Sequence, residues 1–108
     1  MLNVGNEHPR PKGNSPLAQW FHATVGLKQA RVQFRLRGNN LHILCEDQPC
    51  PDQTAILTRL LLALQRVDLN TLIPANQPPI YQVFVYGRRP EQSRPDWSTP
   101  IDLNQLDH

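Results

Sequence analysis

The spacing of apolar positions along the chain changes repeatedly, and each change marks an element. Leu17, Trp20, Phe21 and Thr24 follow the steps of one helical face, which a strand could not bury together. Ser15 and Pro16 precede them as a helix start. A serine oxygen accepts an orphan backbone N–H, and proline at the first helical position loses no hydrogen bond. Gly26 supplies the left-handed residue that ends many helices, so the pattern predicts a helix from Pro16 to Val25. From Arg31 the period becomes two. Val32, Phe34 and Leu36 alternate with Gln33, Arg35 and Arg37, as in a strand buried on one face. Gly38, Asn39 and Asn40 carry turn chemistry, after which Leu41, Ile43 and Cys45 resume the alternation around His42 and Leu44. A two-residue loop at Gly38-Asn39 or at Asn39-Asn40 keeps the parity of the two strands.

Asp52 is placed to cap a second helix. Its apolar residues Ile56, Leu57, Leu60, Leu61, Leu64 and Val67 recur at three and four and define a broad buried stripe. A proline-punctuated crossover, residues 68–79, is long enough to return the chain along the sheet. Ile80 to Tyr86 then reads as a third strand, with Tyr81, Val83 and Val85 on one face and Gln82, Phe84 and Tyr86 on the other. Residues 87–100 are polar, basic and proline-rich around Trp97, and a further helix is expected to begin near Ile101. The expected architecture is α+β in the order αββαβ. It comprises a small three-stranded, mainly antiparallel sheet with two helices on one face, related to half of a ferredoxin-like sandwich. The pattern leaves open whether strand three pairs with strand one or strand two. Residues 1–14 are expected to be a flexible arm, 15–106 a single domain, and 107–108 the start of a linker or a truncated continuation.

Composition narrows the class of protein. At 108 residues the chain suits one domain, which at this size buries somewhat over roughly 60% of its unfolded surface. The eleven prolines cluster between apolar stretches and therefore mark connections. A net charge of +2 does not by itself require a nucleic-acid partner, so the placement of the arginines matters more than their sum. Cys45 and Cys50 are too few for a disulfide framework, and no secretory leader is recognisable, so a cytoplasmic location is expected. The longest apolar stretch, Ala55 to Leu64, is interrupted by Thr58 and Arg59 and falls well short of the roughly 20 residues that cross a bilayer.

Candidate chemistry concentrates in two places. On the sheet face opposite the core, Arg35, Arg37 and Gln33 would lie beside His42, Leu44, Phe84 and Tyr86 if the strands are contiguous. Guanidinium groups beside rings follow the logic of single-stranded nucleic-acid platforms and also supply anchors for a protein partner. The more ordinary reading is a solvated face, or one covered by the arm or a partner. The second place is the basic loop Arg88, Arg89 and Arg94 with Trp97, which an anion or acidic peptide could occupy. Its more ordinary reading is a tail that docks by burying Trp97 and leaves the arginines solvated.

Other chemistry finds little support. His42, Cys45 and Cys50 invite a zinc reading, but structural zinc takes four ligands, and His42 and Cys45 point to opposite faces of a strand. No metal and no cofactor are expected. Glu46 and Asp47 fall at a strand end, where solvent normally receives them. No nucleophile sits in a recognisable elbow beside a base, so this region is not expected to be an enzyme.

The segment from Ser15 to about Leu106 resembles a recurrent cyanobacterial domain of unknown function. The residues that carry the resemblance are the charged hairpin Arg31 to Glu46, the Pro51-Asp52-Gln53 helix start, and Val85-Tyr86-Gly87-Arg88-Arg89 followed by Pro95-Asp96-Trp97-Ser98. The resemblance implies the N-terminal region of larger proteins, some of which carry a second copy and a hydrolase domain of the SGNH type. It transfers no functional residue, since the glycine-aspartate-serine motif of such hydrolases is absent here. The functional expectation is a non-catalytic protein-interaction or regulatory module, whose partner is another protein or a downstream domain of the same chain. Single-stranded nucleic-acid binding and a structural accessory role in a hydrolase-containing parent are the alternatives.

Overall fold

A computed structural model describes residues 15–27 and 30–106, so the expectations for the N-terminal arm and for residues 107–108 lie outside the described residues. The first helix, α1, spans Pro16–Val25. Ser15 caps it by accepting the Ala18 N–H, and Gly26, at φ 71°, closes it by donating its N–H to the His22 carbonyl. The buried face of α1 is Leu17, Ala18, Phe21 and Val25, with Trp20 and Thr24 only half-buried at its margin. Arg59 Nη1 reaches back to the Val25 carbonyl at 3.0 Å, placing a cation where the helix dipole is negative.

Strands β1 (Arg31–Arg37) and β2 (Asn40–Glu46) pair antiparallel and close on Arg37 opposite Asn40, which makes Gly38-Asn39 the loop. Gly38 has φ 58° and no non-glycine residue among those described has a positive φ, which is the sign pattern of a type II′ turn. The second helix, α2 (Gln53–Leu64), starts at an Asp52 cap that accepts the Ala55 N–H. It buries Ile56, Leu60 and Leu64. The expected stripe was too wide, since Leu61 is exposed and Val67 lies past the end of the helix.

Strand β3 spans Gln82–Arg88 and lies parallel to β2, with Leu41 opposite Val83 and Ile43 opposite Val85. Two asparagines fix where it enters. The Asn70 side chain accepts the Ile80 N–H at 2.6 Å and donates to the Ile80 carbonyl. The Asn39 carbonyl in the hairpin loop accepts the Tyr81 N–H at 2.8 Å, and its amide donates to the Pro79 carbonyl. Ile80 and Tyr81 are thus held by these clamps ahead of the ladder, and the strand begins and ends two residues later than the alternation predicts.

A fourth strand, β4 (Trp97–Asp102), pairs antiparallel with β3. The sequence pattern offers no strand in the proline-rich stretch 87–100 and expects a helix to begin near Ile101; residues 97–102 instead form a strand, which runs into a 3₁₀ turn, Leu103–Gln105. Pro100 is tolerated because β4 is an edge strand, where a missing N–H costs no ladder bond. The sheet is therefore four-stranded and mixed, in the order β1-β2-β3-β4, rather than three-stranded and mainly antiparallel. Both helices pack on the same side. Leu17, Phe21 and Val25 join Ile56, Leu60 and Leu64 over Leu41, Ile43, Val83, Val85 and Ile101 in one core.

Candidate functional site

The pairing registers decide which side chains share the face turned away from the helices. Arg35 lies across from His42, and His42 across from Phe84; Gln33, Leu44 and Tyr86 form the next row, and Arg31, Glu46 and Arg88 the one after. Because β2 and β3 run parallel in matched register, residues of equal parity on both strands face the same way. Arg31, Gln33, Arg35 and Arg37 are exposed, whereas His42, Leu44, Phe84 and Tyr86 are half-buried among one another. A shallow groove of ≈ 500 Å³ runs across these rows, from Arg35 and Arg37 past His42 and Leu44 to Tyr86 and Pro95.

Three rings form the middle of this face. The His42 ring lies nearly parallel to Phe84, with centroids 5.0 Å apart, and nearly parallel to Tyr86 at 5.9 Å. The Tyr86 hydroxyl is 2.8 Å from His42 Nδ1. Burial first, and then the charges of Arg37 and Arg35, lower the His42 pKa from 6.5, so the imidazole is predominantly neutral at pH 7. A neutral ring has a lone pair for the tyrosine O–H, and with the proton on Nε2 the hydroxyl donates to Nδ1.

Of the remaining candidates, Arg94 is exposed, whereas Arg88, Arg89 and Trp97 are already engaged. Arg88 Nε donates to Glu46 Oε2 at 2.7 Å, and Arg88 Nη2 closes on the same oxygen. Glu46 is only 7% exposed, which corrects the expectation that this strand-end carboxylate meets solvent. Its burial follows from the parallel register, which sets Arg88 directly beside it. Arg89 pairs with Asp96 through Nε at 3.0 Å and Nη2 at 3.2 Å, and this contact holds the Asp96 carboxyl below its ordinary range. The pair ties together the two ends of the β3–β4 loop.

Trp97 stands opposite Gly87 on the helix side of the sheet and donates its indole N–H to the Pro51 carbonyl at 2.9 Å. The structure thus brings Arg35, Arg37, His42, Phe84 and Tyr86 together with Arg88 at their margin, and places Trp97 on the other side. His42 and Cys45 also part company. Cys45 is in the core, where burial pushes its thiol up to about 12, and no cluster of histidine, cysteine and acidic residues suited to a metal ion occurs among the described residues.

Sequence reasoning missed Glu46, Pro95 and the Asn39 and Asn70 clamps as determinants of this face. The pairing of Arg89 with Asp96 had a local signal, two opposite charges flanking a short proline-bounded loop. The chain matches no family model, no curated protein and no solved structure, so the functional reading rests on the geometry of this face. No helix among the described residues is long and apolar enough to cross a membrane.

Proposed function

We propose that the domain is a non-catalytic interaction module whose outer sheet face receives an acidic segment of a partner protein. One observation carries this reading. Arg31, Arg35 and Arg37 project from one strand onto an open face and make no ion pair among the described residues, while the carboxylate beside them, Glu46, is neutralised by Arg88. A face with unpaired cations around a half-buried apolar and aromatic strip suits a partner that brings carboxylates at its rim and apolar side chains at its centre. Arginine and tyrosine are also the residue types that dominate binding energy at such surfaces.

The test is selection of a random displayed-peptide library on the immobilised protein, followed by binding of the enriched peptides at low and high salt. Enriched peptides are expected to be acidic, to bind more weakly as salt rises, and to lose binding to the Arg35→Glu/Arg37→Glu variant. Peptides without acidic bias, or binding indifferent to both substitutions, would overturn the proposal. The three parallel rings next to Arg35 favour a second reading, single-stranded nucleic acid. Titration with oligouridylate and oligothymidylate at the same two salt concentrations separates the readings, since only the second expects these ligands to bind through Arg35 and Arg37.

A further inference from the structure

The two edges of the sheet are not equivalent. β4 carries Pro100 in its interior and runs directly into a 3₁₀ turn, both of which blunt an edge against further pairing. β1 is seven residues long, contains neither proline nor glycine, and ends the sheet with no described strand paired to its outer side.

The direction of its backbone groups follows from the neighbouring ladder. The Asn39 carbonyl accepts the Tyr81 N–H and the Asp47 N–H donates to the Arg88 carbonyl, so odd-numbered residues of β2 and its flanks turn their backbone towards β3. The even-numbered residues turn towards β1, where their partners are Arg31, Gln33, Arg35 and Arg37. The N–H and C=O groups of Val32, Phe34 and Leu36 therefore point outward from the open edge. The side chains of these same residues lie on the helix side, half-buried against the core, with Phe34 edge-on to Phe21 at 5.6 Å. The arginines lie on the other face.

We infer that β1 is the site of β-strand addition by an extended segment of a partner protein in which acidic and apolar residues alternate. The inference rests on the acidic-partner reading above and specifies its binding mode. An added strand of that pattern sets carboxylates beside Arg31, Arg35 and Arg37 on the outer face. It sets apolar side chains beside Val32, Phe34 and Leu36 on the helix face, and satisfies the outward backbone groups in between. A second copy of this chain fits badly: antiparallel pairing of β1 with itself about Phe34 puts Arg31 opposite Arg37 of the other copy, and like charges directly opposite are destabilising.

The experiment uses the full chain and a blocked seven-residue peptide of alternating glutamate and valine, with amide hydrogen exchange read by NMR. At a peptide concentration about 100 times its Kd, exchange at Val32, Phe34 and Leu36 is expected to slow about 100-fold, because only the free fraction exchanges. Two N-methylated peptides complete the test. One is methylated on every glutamate nitrogen and the other on every valine nitrogen, and strand addition requires that one of them bind and the other not, since alternate N–H groups of an added strand face β1.

Peptide binding through Arg35 and Arg37 without slowed exchange at these amides, or binding of both methylated peptides, would overturn strand addition and leave the acidic-partner reading standing. Absence of peptide binding overturns strand addition, and the displayed-library selection then decides the broader reading by itself. Slow exchange at Phe34 in the protein without peptide would show the edge already occupied, and binding of oligouridylate but not of the peptide would assign the surface to nucleic acid; either result also overturns the proposal.

Discussion

The Tyr86 hydroxyl meets His42 Nδ1 at 2.8 Å across the parallel pair of central strands, on the face where Arg35 and Arg37 converge. Burial of the ring disfavours the imidazolium, and the charges of Arg37 and Arg35 oppose its protonation further. The folded-state pKa of His42 lies below 6.5, while the unfolded chain takes up the proton at about 6.5. As pH falls below 6.5 the unfolded state binds the proton first. Stability is therefore lost through the window beneath 6.5 and the loss levels off below the folded-state pKa. NMR titration of the His42 ring should give a value under 6.5. Arg35→Gln/Arg37→Gln should raise it, because two repelling charges are gone, and should flatten this part of the stability profile. An unchanged His42 titration in that variant would show that the arginine charges do not reach the ring.

The parts of this face written locally in the sequence were legible there. The Arg31 to Arg37 alternation, Gly38 at the turn, the Ser15 and Asp52 caps and Gly26 at the end of α1 each act within a few residues, so spacing alone identifies them. The parity of Phe84 and Tyr86 was legible for the same reason. What spacing could not supply was the neighbour of β3. That choice is made by the Asn39 and Asn70 clamps on the crossover, and Asn39 holds a carbonyl 40 residues further along the chain. The burial of Glu46 and the placement of Trp97 both follow from the resulting registers. β4 was illegible because proline argues against a strand interior, yet an edge strand needs ladder bonds on one side only.

Gly87 is required by its neighbour rather than by its own backbone. A Cβ there would overlap the indole of Trp97, which is held across the ladder by its register and by its bond to the Pro51 carbonyl. Gly87→Ala is expected to cost about 1–3 kcal/mol through this overpacking, measured by denaturant unfolding. Gly87→Ala should cost less in a Trp97→Ala background than in the unaltered chain, since the overlapping group is gone. Additive losses from the two substitutions would mean that the ring does not limit the space at position 87.

Glu46 and Arg88 give the clearest test of the parallel register. The carboxylate is 7% exposed and the arginine side chain 26%, so water can solvate the guanidinium better than the carboxylate if either partner is lost. Removal of one partner from a fully buried pair costs about 3–5 kcal/mol, and the exposure of Arg88 should reduce the cost of Glu46→Gln to about 1–3 kcal/mol. Arg88→Met should cost more than Glu46→Gln, because it strands the less accessible charge. The double variant should be less destabilised than the two losses combined, with a coupling of about 0.5–3 kcal/mol in a double-mutant cycle. A coupling near zero would contradict the register that sets these residues side by side, and with it the placement of Tyr86 beside Leu44 on which the binding face depends.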